Sequence, residues 1–431
     1  MEIFKFGGAS ILDKDSIKNV ADIIQTNSGN RLLVVVSAKG KTTNKLEEAL
    51  AHLRNNNLSQ AKSKLDDIVD EHLQLGRDLG ITSTAFIADI QNLRSEADLA
   101  LQMQSQSNLE LYDRIVSFGE LLSTKVIYHY LISTESVGAE WLDIRSILKT
   151  DNNHTEAKVL WKETKVLLDK KLNLMNDDVV IITQGFIGST LEGKNTTLGR
   201  EGSDYSASIL AYLLDLDKVT IWKDVPGILT ADPRLFDNVN LIPKISYKEA
   251  IEMTYYGAKV IHPKTIKPLQ NKGIQLIVRS FRNPTAVGTV IGPEEEGTLY
   301  PPIVVVEKDQ SLIRFSTLDF SFIAEEHLSE IFDVFDRHRI KVNMMRNGAI
   351  SFSVCVTNKS DKVHNIINDL ESKYQISVDN DLELLTIRQP KTQLIEHLQS
   401  DKLVLFKEIV SDTVRMVTKP IEMIRRKSRE D

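Results

Sequence analysis

Residues 196–205 combine glycines, hydroxyls and charged side chains in an order that suits the binding of an anion. The segment reads Thr-Thr-Leu-Gly-Arg-Glu-Gly-Ser-Asp-Tyr, follows an apolar run at 179–183 and precedes apolar residues at helical spacing. This order predicts a strand, a turn and a helix, with Ser203 as the helix N-cap and Asp204 in the first turn. Backbone N–H groups at the start of a helix attract an anion. An ordinary surface loop is the alternative for this segment taken alone.

A lysine and two glycines near the N-terminus form a second candidate site for phosphate. Residues 2–6 read as a strand, which contains Lys5 and runs into Gly-Gly-Ala-Ser at 7–10. The glycines let a phosphate approach the backbone, and the lysine adds positive charge. We therefore expect the end of this strand and the turn after it to face a phosphate group.

A third turn, residues 37–44, follows a second apolar strand at 31–36. It contains Gly-Lys-Thr at 40–42, which matches the end of a Walker A loop. That loop also requires a glycine at the position where this chain has Val35. The pattern therefore excludes a P-loop NTPase.

These turns need a sheet to position them, and the first two thirds of the chain predict one. Helical periodicity runs from residue 45 to about residue 130, with few glycines or prolines to interrupt it. Short apolar strands follow at 137–142, 179–183, 218–222 and 274–280. Strands that alternate with helices indicate a mainly parallel α/β sheet, with the site in the loops at the carboxyl ends of the strands. Residues 288–297 are predicted to be a linker.

After Pro301-Pro302 the pattern changes to that of a small α+β domain. A strand, a helix, two strands, a helix and a strand are predicted at 311–316, 327–338, 340–345, 350–356, 361–373 and 376–378. That order is typical of a ferredoxin-like domain. Further strands at 383–388, 402–406 and 413–417 begin a second copy, for which the remaining chain is too short.

Composition excludes several classes of protein. The 431 residues indicate two or three domains, and the net charge of −7 argues against binding nucleic acid through a basic surface. Cys355 is the only cysteine, which excludes an intrachain disulfide and argues against a cysteine-rich zinc site. No apolar run reaches the ~18 residues of a transmembrane helix, and no signal-peptide pattern opens the chain. We expect a cytoplasmic protein without nucleic-acid or membrane partners.

Three separated segments together resemble the aspartate kinases of the amino acid kinase family. They are residues 5–10, 197–205 and 257–263, the last of which reads Gly-Ala-Lys-Val-Ile-His-Pro. The resemblance extends through residues 37–44, Glu120, residues 222–234 and two C-terminal ACT-like units. It implies an open, mainly parallel sheet sandwiched by helices, followed by ferredoxin-like α+β ACT units of which the second is truncated. The implied boundaries of the catalytic domain, the ACT-like domain and the partial second unit are 1–288, 300–380 and 381–431.

The resemblance implies transfer of the γ-phosphoryl group of ATP, with Mg²⁺, to the β-carboxylate of L-aspartate. The product would be 4-phospho-L-aspartate, in the first step towards lysine, threonine and methionine. A carboxylate is already an anion at neutral pH, so the enzyme needs no general base and must instead hold two anions together. A homodimer joined through the ACT-like units is also implied. Two alternatives stay open: a kinase for another carboxylate acceptor, and a non-catalytic homologue that senses an amino acid.

The resemblance also implies roles for individual residues. Lys5 and Asp204 are the implied catalytic residues, with Lys5 on the transferred group and Asp204 orienting the lysines or their magnesium. Arg200 is suited to the α-carboxylate of the acceptor and Glu120 to its α-ammonium group, although a solvated helix carboxylate is the commoner fate of a glutamate. Further acceptor contacts are expected from Ser37, Thr43 and Ser203. Nucleotide contacts are expected from Gly7, Gly8, Ser10, Lys223, Asp224, Leu229, Arg234 and Lys259. No metal ligand is assigned to the protein.

Four positions depart from the pattern of the family. Ala9 replaces the usual threonine, and Glu201 stands where glycine or asparagine is common. Lys223 and Leu229 stand where some members have a threonine and an aromatic residue around the adenine. The catalytic residues are intact, so these departures bear on nucleotide affinity and on the charge near the acceptor. His262, next to a proline, is interpreted as structural rather than as a catalytic base.

The turn into the first ACT-like helix, residues 320–327, differs from that of lysine-sensitive relatives. Those relatives enter the helix through a glycine, which lets the backbone approach the carboxylate of the ligand, whereas this chain has Glu326. The segment at 346–349, Arg-Asn-Gly-Ala, replaces one that carries hydroxyl and acidic groups in those relatives. A carboxylate at the turn repels the carboxylate of an effector. The sequence therefore predicts weak or absent feedback inhibition by lysine.

Overall fold

The computed structural model of the protein describes residues 1–29, 31–102, 107–135, 137–258, 260–295, 297–319 and 321–421. The chain divides into two compact units. The first consists of residues 1–228, 241–251 and 260–295, and the second of residues 229–240, 252–258 and 297–421. Among the helices of these ranges, none has the length and hydrophobicity that crossing a bilayer requires.

The first unit is built on a sheet whose strands are short and largely buried. Its strands are β1 (Glu2–Phe6), β2 (Leu32–Val36), β3 (Ala139–Leu142), β4 (Val180–Gln184), β5 (Ile187–Ser189), β6 (Asn195–Thr197), β7 (Lys218–Lys223), β8 (Lys244–Ser246), β9 (Gln275–Ser280) and β10 (Thr289–Gly292). The main sheet has the order β3-β4-β2-β1-β7-β9-β10-β8, and β5 pairs with β6 in a separate hairpin. Neighbouring strands of the main sheet are parallel except β9 and β10. This confirms the predicted mainly parallel α/β fold.

Helices cover both faces of this sheet. They are α1 (Lys14–Thr26), α2 (Thr42–Arg54), α3 (Leu58–Asp78), α4 (Thr84–Gln102), α5 (Asn108–Ser133), α6 (Trp161–Leu172), α7 (Gly202–Leu213), α8 (Tyr247–Tyr255) and α9 (Pro263–Lys272). Every residue of β2 and β4 is buried, as expected for central strands with helices on both sides. The predicted helical region from 45 to 130 consists of α2 to α5. Asn57 marks one of its breaks, because its side chain accepts the Gln60 N–H and caps α3.

The predicted linker at 288–297 was wrong in its first part, because β10 belongs to the main sheet. Gly288 has a φ of +77°, and a Cβ there would lie 2.2 Å from the Val278 carbonyl oxygen, so the turn requires a glycine. The Thr289 hydroxyl donates to the Ile242 carbonyl at 2.6 Å and accepts the Ile228 N–H at 2.8 Å. These bonds anchor the strand. Four residues are too few to show the alternation by which a strand is recognised in sequence.

The second unit is a six-stranded antiparallel sheet with helices. Its elements are β11 (Ile303–Thr317), α10 (Glu325–Arg337), β12 (Val342–Asn347), β13 (Ser351–Thr357), α11 (Ser360–Leu370), β14 (Tyr374–Arg388), α12 (Thr392–Gln399), β15 (Lys402–Val410) and β16 (Thr413–Pro420). The strand order is β12-β13-β11-β14-β16-β15. The first six elements reproduce the predicted βαββαβ order, which confirms the ferredoxin-like part of the prediction.

Two long strands, β11 and β14, are shared by the ferredoxin-like half of this sheet and by a shorter second half. β11 pairs with β14 along almost its full length, with a register irregularity between Glu307 and Leu312. The separate strands predicted at 376–378 and 383–388 are therefore one strand, β14, and the predicted boundary at 381 falls inside it. The shorter second half contains the end of β14, α12, β15 and β16. Its remaining strand is the start of β11, because residues 303–307 pair with residues 384–388.

Candidate active site

A cleft of about 460 Å³ lies at the carboxyl ends of β1, β2 and β4, beside the start of α7. It is lined by Lys5, Ser37, Thr43, Tyr112, Glu120, Thr155, Glu156, Phe186, Thr197, Gly199, Arg200, Glu201, Gly202, Ser203 and Asp204. All the residues predicted to be catalytic or to bind the acceptor are among them. The structure therefore brings together in one cleft side chains that lie up to about 200 positions apart in the sequence, at the edge of the sheet where a parallel α/β fold places its site.

Two lysines share one buried carboxylate, that of Asp204, which lines the cleft together with Lys5. Lys5 lies on β1 and Lys223 ends β7, and the pairing of Lys5 with Ile221 places both lysines on the same face of the sheet. The Asp204 Oδ1 lies 2.6 Å from the Lys5 Nζ, and its Oδ2 lies 3.1 Å from the Lys223 Nζ. The three groups together leave one positive charge, which suits a phosphate.

The charge state of Asp204 follows from these contacts. Its side chain is fully buried, and burial by itself favours the protonated carboxyl. The positive charges of Lys5 and Lys223 outweigh burial and hold the pKa of Asp204 below its ordinary value. Asp204 is thus ionised at neutral pH and keeps both lysines in place.

The glycine turn after β1 packs against the turn after β2. A Cβ on Gly8 would lie 2.5 Å from the Ala38 carbonyl oxygen, so only glycine permits this approach. The Gly8 carbonyl accepts the Gly40 N–H at 3.1 Å. The Ser10 side chain is fully buried and its hydroxyl donates to the Gly7 carbonyl at 2.6 Å. These contacts shape the turn, and the phosphate contacts of Gly7, Gly8 and Ser10 stay predictions.

Glu120 is a buried carboxyl without a full set of partners. It is 3% exposed, so the alternative of a solvated helix carboxylate is wrong. Its Oε1 accepts the Ala38 N–H at 3.3 Å, while its Oε2 has no hydrogen-bond partner among the described residues. Loss of water raises the pKa of Glu120 to about 8, although the Ala38 N–H and the charge of Lys5 oppose the shift. A carboxyl in this state is stabilised by a cation that enters the cleft.

The turn before α7 holds Arg200 at the rim of the cleft. Gly199 and Glu201 have φ values of +77° and +55°, so the chain turns sharply on both sides of Arg200. The helix begins at Gly202, with Glu201 in the N-cap position, so the prediction of Ser203 as the N-cap was wrong. A Cβ on Gly202 would lie 2.6 Å from the Phe186 Cδ2, and this packing decides where the helix starts.

Arg200 and Ser203 differ in exposure. Arg200 is exposed, and no carboxylate in the described part of the chain pairs with its guanidinium group. Ser203 is buried at the second helical position and still borders the cleft. The guanidinium group is therefore available to a ligand carboxylate, which it can bind through two parallel hydrogen bonds.

The remaining predicted nucleotide residues are more dispersed. Asp224 directly follows Lys223 and is exposed in the first unit. Leu229 and Arg234 belong to the second unit, where the Arg234 guanidinium contacts Asp232 at 2.7 Å. Lys259 lies outside the described residues. Their roles in binding a nucleotide stay predictions.

The sequence analysis did not identify Lys264, which contacts the turn before α7. Lys264 donates from its Nζ to the Leu198 carbonyl at 2.6 Å and lies 5.0 Å from the Tyr205 ring centre, so it holds the turn before α7. His262 is the N-cap of α9 and accepts the Lys264 N–H at 3.1 Å, which confirms its structural role. A lysine directly after His-Pro resembles any exposed charge in sequence, and only the fold places it beside Leu198.

The arrangement can bring two anions together. Lys5 and Lys223 supply positive charge beside Asp204, and the exposed Arg200 can hold a carboxylate. Glu120 supplies the partner for a ligand cation. These groups suit transfer of a phosphoryl group to a small acceptor that carries both an ammonium group and a carboxylate.

Comparisons with known proteins agree with this chemistry. A family model described as the amino acid kinase family matches residues 1–280. The chain is 30% identical over 395 residues to the lysine-sensitive aspartokinase 3 of Escherichia coli (strain K12). The matched region covers 89% of this chain and 86% of that protein.

Two solved structures are similar over nearly the whole chain. E. coli aspartokinase III in complex with lysine and aspartate aligns with a TM-score of 0.84 at 29% identity, covering 98% of this chain and 96% of that one. The complex of E. coli aspartokinase III with aspartate and ADP aligns with a TM-score of 0.77 at 28% identity, covering 99% and 97%. The chain belongs to the amino acid kinase family, and within that family to the aspartokinases.

Proposed function

We propose that the protein catalyses transfer of the γ-phosphoryl group of ATP to the β-carboxylate of L-aspartate, which gives 4-phospho-L-aspartate and ADP. The observation that carries this proposal is the juxtaposition, in one cleft, of the Lys5–Asp204 pair with Glu120 and the exposed Arg200. The similarity to a structure described as a complex with aspartate and ADP supports the choice of substrates. This reaction would begin the route to lysine, threonine and methionine.

Each end of aspartate has a chemically suited partner. Arg200 takes the α-carboxylate, and Glu120 takes the α-ammonium group, which restores the ionised form of a carboxyl that burial keeps protonated. Ser37, Thr43 and Ser203 add hydrogen bonds from the same cleft. The β-carboxylate then points towards Lys5, whose charge stabilises the phosphoryl group during transfer.

The nucleotide lies on the side of Lys5 and Lys223 in this proposal. Gly7, Gly8 and Ser10 shape the first turn, and Asp224, Leu229, Arg234 and Lys259 complete the predicted set. Within the described residues, no group of three His, Cys, Asp or Glu side chains could hold a metal ion, and both oxygens of Asp204 contact lysines. Mg²⁺ enters this proposal as part of the MgATP substrate, because it commonly binds through phosphates and water.

A test of the acceptor is to measure ADP release with MgATP and a panel of carboxylates. The panel contains L-aspartate, D-aspartate, L-glutamate, succinate and carbamate. We expect kcat/KM to be highest for L-aspartate, and succinate, which lacks the ammonium group, to be turned over very poorly. Equal or better turnover of glutamate or carbamate would replace aspartate as the acceptor. No ADP release with any of them would favour the amino-acid-sensing alternative.

Binding of aspartate should release a proton from Glu120. The carboxyl has a pKa of about 8 in the free protein and is mostly protonated at pH 7. An ammonium group beside it favours the ionised form, so the affinity for aspartate should rise with pH up to about 8 and then level off. Calorimetric titrations at pH 7 in two buffers of different ionisation enthalpy measure the released proton. The variant Glu120→Gln should bind aspartate at least ~10-fold more weakly and release none. The same proton release in both proteins would show that another group titrates.

We also propose a homodimer formed through the second unit. β12 and β15 are the edge strands of its sheet, and edge strands are common sites of association. Several large apolar side chains of this unit are exposed, namely Leu318, Phe322, Met345, Ile350, Leu403, Ile409 and Val410. An apolar surface of this kind is typical of protein interfaces.

The cytoplasmic location expected from the sequence stays a prediction.

Lysine should inhibit this enzyme weakly or not at all. α10 begins at Glu325, so Glu325 and Glu326 place two carboxylates in its first turn. The backbone N–H groups of that turn would otherwise attract the carboxylate of an effector, which the two glutamates repel. The measurement is a titration of lysine and threonine, alone and together, at an aspartate concentration near KM. We expect less than ~2-fold inhibition at 1 mM lysine. Strong inhibition below 1 mM would show that this turn still binds lysine despite Glu326.

A further inference from the structure

Asp113 is a fully buried carboxylate in the first unit, and no step described above uses it. Its Oδ1 accepts the Thr197 hydroxyl at 2.6 Å, and its two oxygens lie 3.1 and 3.0 Å from the Thr155 N–H. Its Oδ2 lies 2.8 Å from the His154 Nδ1. One side chain therefore joins α5, the end of β6 and the segment 154–156.

Both of the joined segments border the acceptor cleft. Thr197 is the last residue of β6, three positions before Arg200, and Thr155 and Glu156 line the cleft themselves. A Cβ on Gly199 would lie 3.3 Å from the Thr155 carbonyl oxygen and 3.2 Å from the Glu156 Cγ, so this segment packs against the turn that carries Arg200. The Ala157 N–H also donates to the Thr197 carbonyl at 2.9 Å.

The backbone of Thr155 is strained, which shows that contacts with other parts of the protein hold the segment 154–156 in its conformation. Thr155 has a φ of +71°, a region that a β-branched residue rarely adopts. Such strain persists only where surrounding contacts hold it, and the hydrogen bonds that the Thr155 N–H donates to Asp113 are contacts of this kind. The segment 154–156 thus depends on Asp113 for its shape.

Helix α5 carries Asp113 and Glu120 on the same face. They lie seven positions apart, which is almost two turns and a rise of about 10 Å. Glu120 and Arg200 both line the cleft, and Asp113 holds the segment that packs against the turn that carries Arg200. A rigid helix between the two carboxylates therefore sets the spacing of the groups that hold the two charges of the acceptor.

We propose that Asp113 is a positioning residue for the phosphorylation reaction, which fixes Arg200 at the distance from Glu120 that an α-amino acid requires. This inference rests on the proposed function. Asp113 touches neither substrate, and it acts through Thr197 and the segment 154–156. Its three partners all donate hydrogen bonds to it when His154 carries a proton on Nδ1. Asparagine cannot satisfy them, because its NH₂ group is itself a donor.

The test compares two variants of this cluster with a matched control. Asp113→Asn keeps the shape of the side chain, and Thr197→Val removes one hydroxyl from the cluster. Thr196→Val is the control, because Thr196 is equally buried on β6 and its hydroxyl bonds Thr150 at 2.7 Å rather than Asp113. For each protein KM for aspartate, KM for ATP, kcat and Tm are measured.

We expect Asp113→Asn to raise KM for aspartate at least ~10-fold and Thr197→Val to raise it ~3-fold, with KM for ATP changed less than ~2-fold. Thr196→Val should lower Tm without changing either KM. In an Arg200→Lys background, Asp113→Asn should raise KM for aspartate by less than ~3-fold, because the two residues act through one contact.

Two other results would overturn the proposal. If Asp113→Asn and Thr197→Val lower Tm as the control does and leave KM for aspartate unchanged, Asp113 is only a core residue. If its effect is fully additive with that of Arg200→Lys, it does not act through Arg200. Should Asp113→Asn fail to fold, Thr197→Val and its combination with Arg200→Lys decide between the same outcomes. If the wild-type protein does not phosphorylate aspartate, the proposed function itself is wrong, and that result is distinct from the two outcomes above.

Discussion

Replacement of Lys5 by methionine should lower kcat by about 10²–10³-fold and leave KM for aspartate within ~3-fold of the wild-type value. The Lys5 Nζ lies 2.6 Å from Asp204 at the cleft, where positive charge stabilises the phosphoryl group in transit. That charge acts mainly in the transition state, so its loss reduces turnover rather than binding of the acceptor. Methionine keeps the length of the side chain, which limits collapse around the buried carboxylate.

The measurement is steady-state ADP release with aspartate and ATP varied separately, and with Tm recorded for each protein. Lys18→Met, at an exposed lysine on α1, is the control for loss of a surface charge and should behave as the wild type. A Lys5→Met protein that is folded and keeps more than ~20% of the wild-type kcat would remove Lys5 from the catalytic machinery.

Arg200→Lys should raise KM for aspartate about 10–100-fold and change KM for ATP by less than ~3-fold. Lysine keeps the positive charge but cannot form the two parallel hydrogen bonds of a guanidinium group with a carboxylate. Hydrogen bonds to charged groups contribute roughly 1.5–3 kcal/mol, which corresponds to this range of affinity. Arg200 is exposed, so the change should leave Tm nearly unaltered.

The control for this variant is Arg77→Lys, at an arginine on α3 that hydrogen-bonds Gln74 away from the cleft. It should leave both KM values unchanged. A rise in KM for ATP in Arg200→Lys, with KM for aspartate unaffected, would place Arg200 on the nucleotide side and would contradict the proposed orientation of the acceptor.

Much of the site could be predicted because its residues directly follow buried strands. Lys5 and the turn after it lie at the end of β1, and Ser37 lies at the end of β2, so apolar runs in the sequence already located them. Parallel strands bring such turns to one edge of the sheet. The resemblance then selected the side chains on helices, Glu120 and Asp204, which a pattern of hydrophobic residues alone would leave unassigned.

Asp113 could not be predicted in this way. A single acidic residue on a long helix usually faces water, and nothing in its neighbours indicates burial. Its partners lie 41, 42 and 84 positions away at His154, Thr155 and Thr197, so the contact exists only after the chain has folded. The spacing of seven residues from Glu120 was the available signal, because it places both carboxylates on one face of the helix.

The sequence also could not predict that β14 is one continuous strand. Residues 379–381 read Asp-Asn-Asp, a polar run that normally ends a strand. In the fold Asp379 pairs with Arg314 at 2.6 Å, Asn380 accepts the Ser311 hydroxyl at 2.6 Å, and Asp381 has a φ of +59°. Contacts from the neighbouring long strand thus satisfy the polar groups and carry the sheet across the irregularity.

The central claim is that the phosphoryl group is transferred to the β-carboxylate of aspartate, and trapping of the product tests this most directly. The purified protein is incubated with MgATP, L-aspartate and hydroxylamine, which converts an acyl phosphate into a hydroxamate. Mass spectrometry and NMR then identify the product. We expect aspartate β-hydroxamate, formed in step with ADP and absent when ATP or aspartate is omitted. ADP release without a hydroxamate, or a hydroxamate at the α-carboxylate, would contradict the proposed placement of the acceptor between Arg200, Glu120 and Lys5.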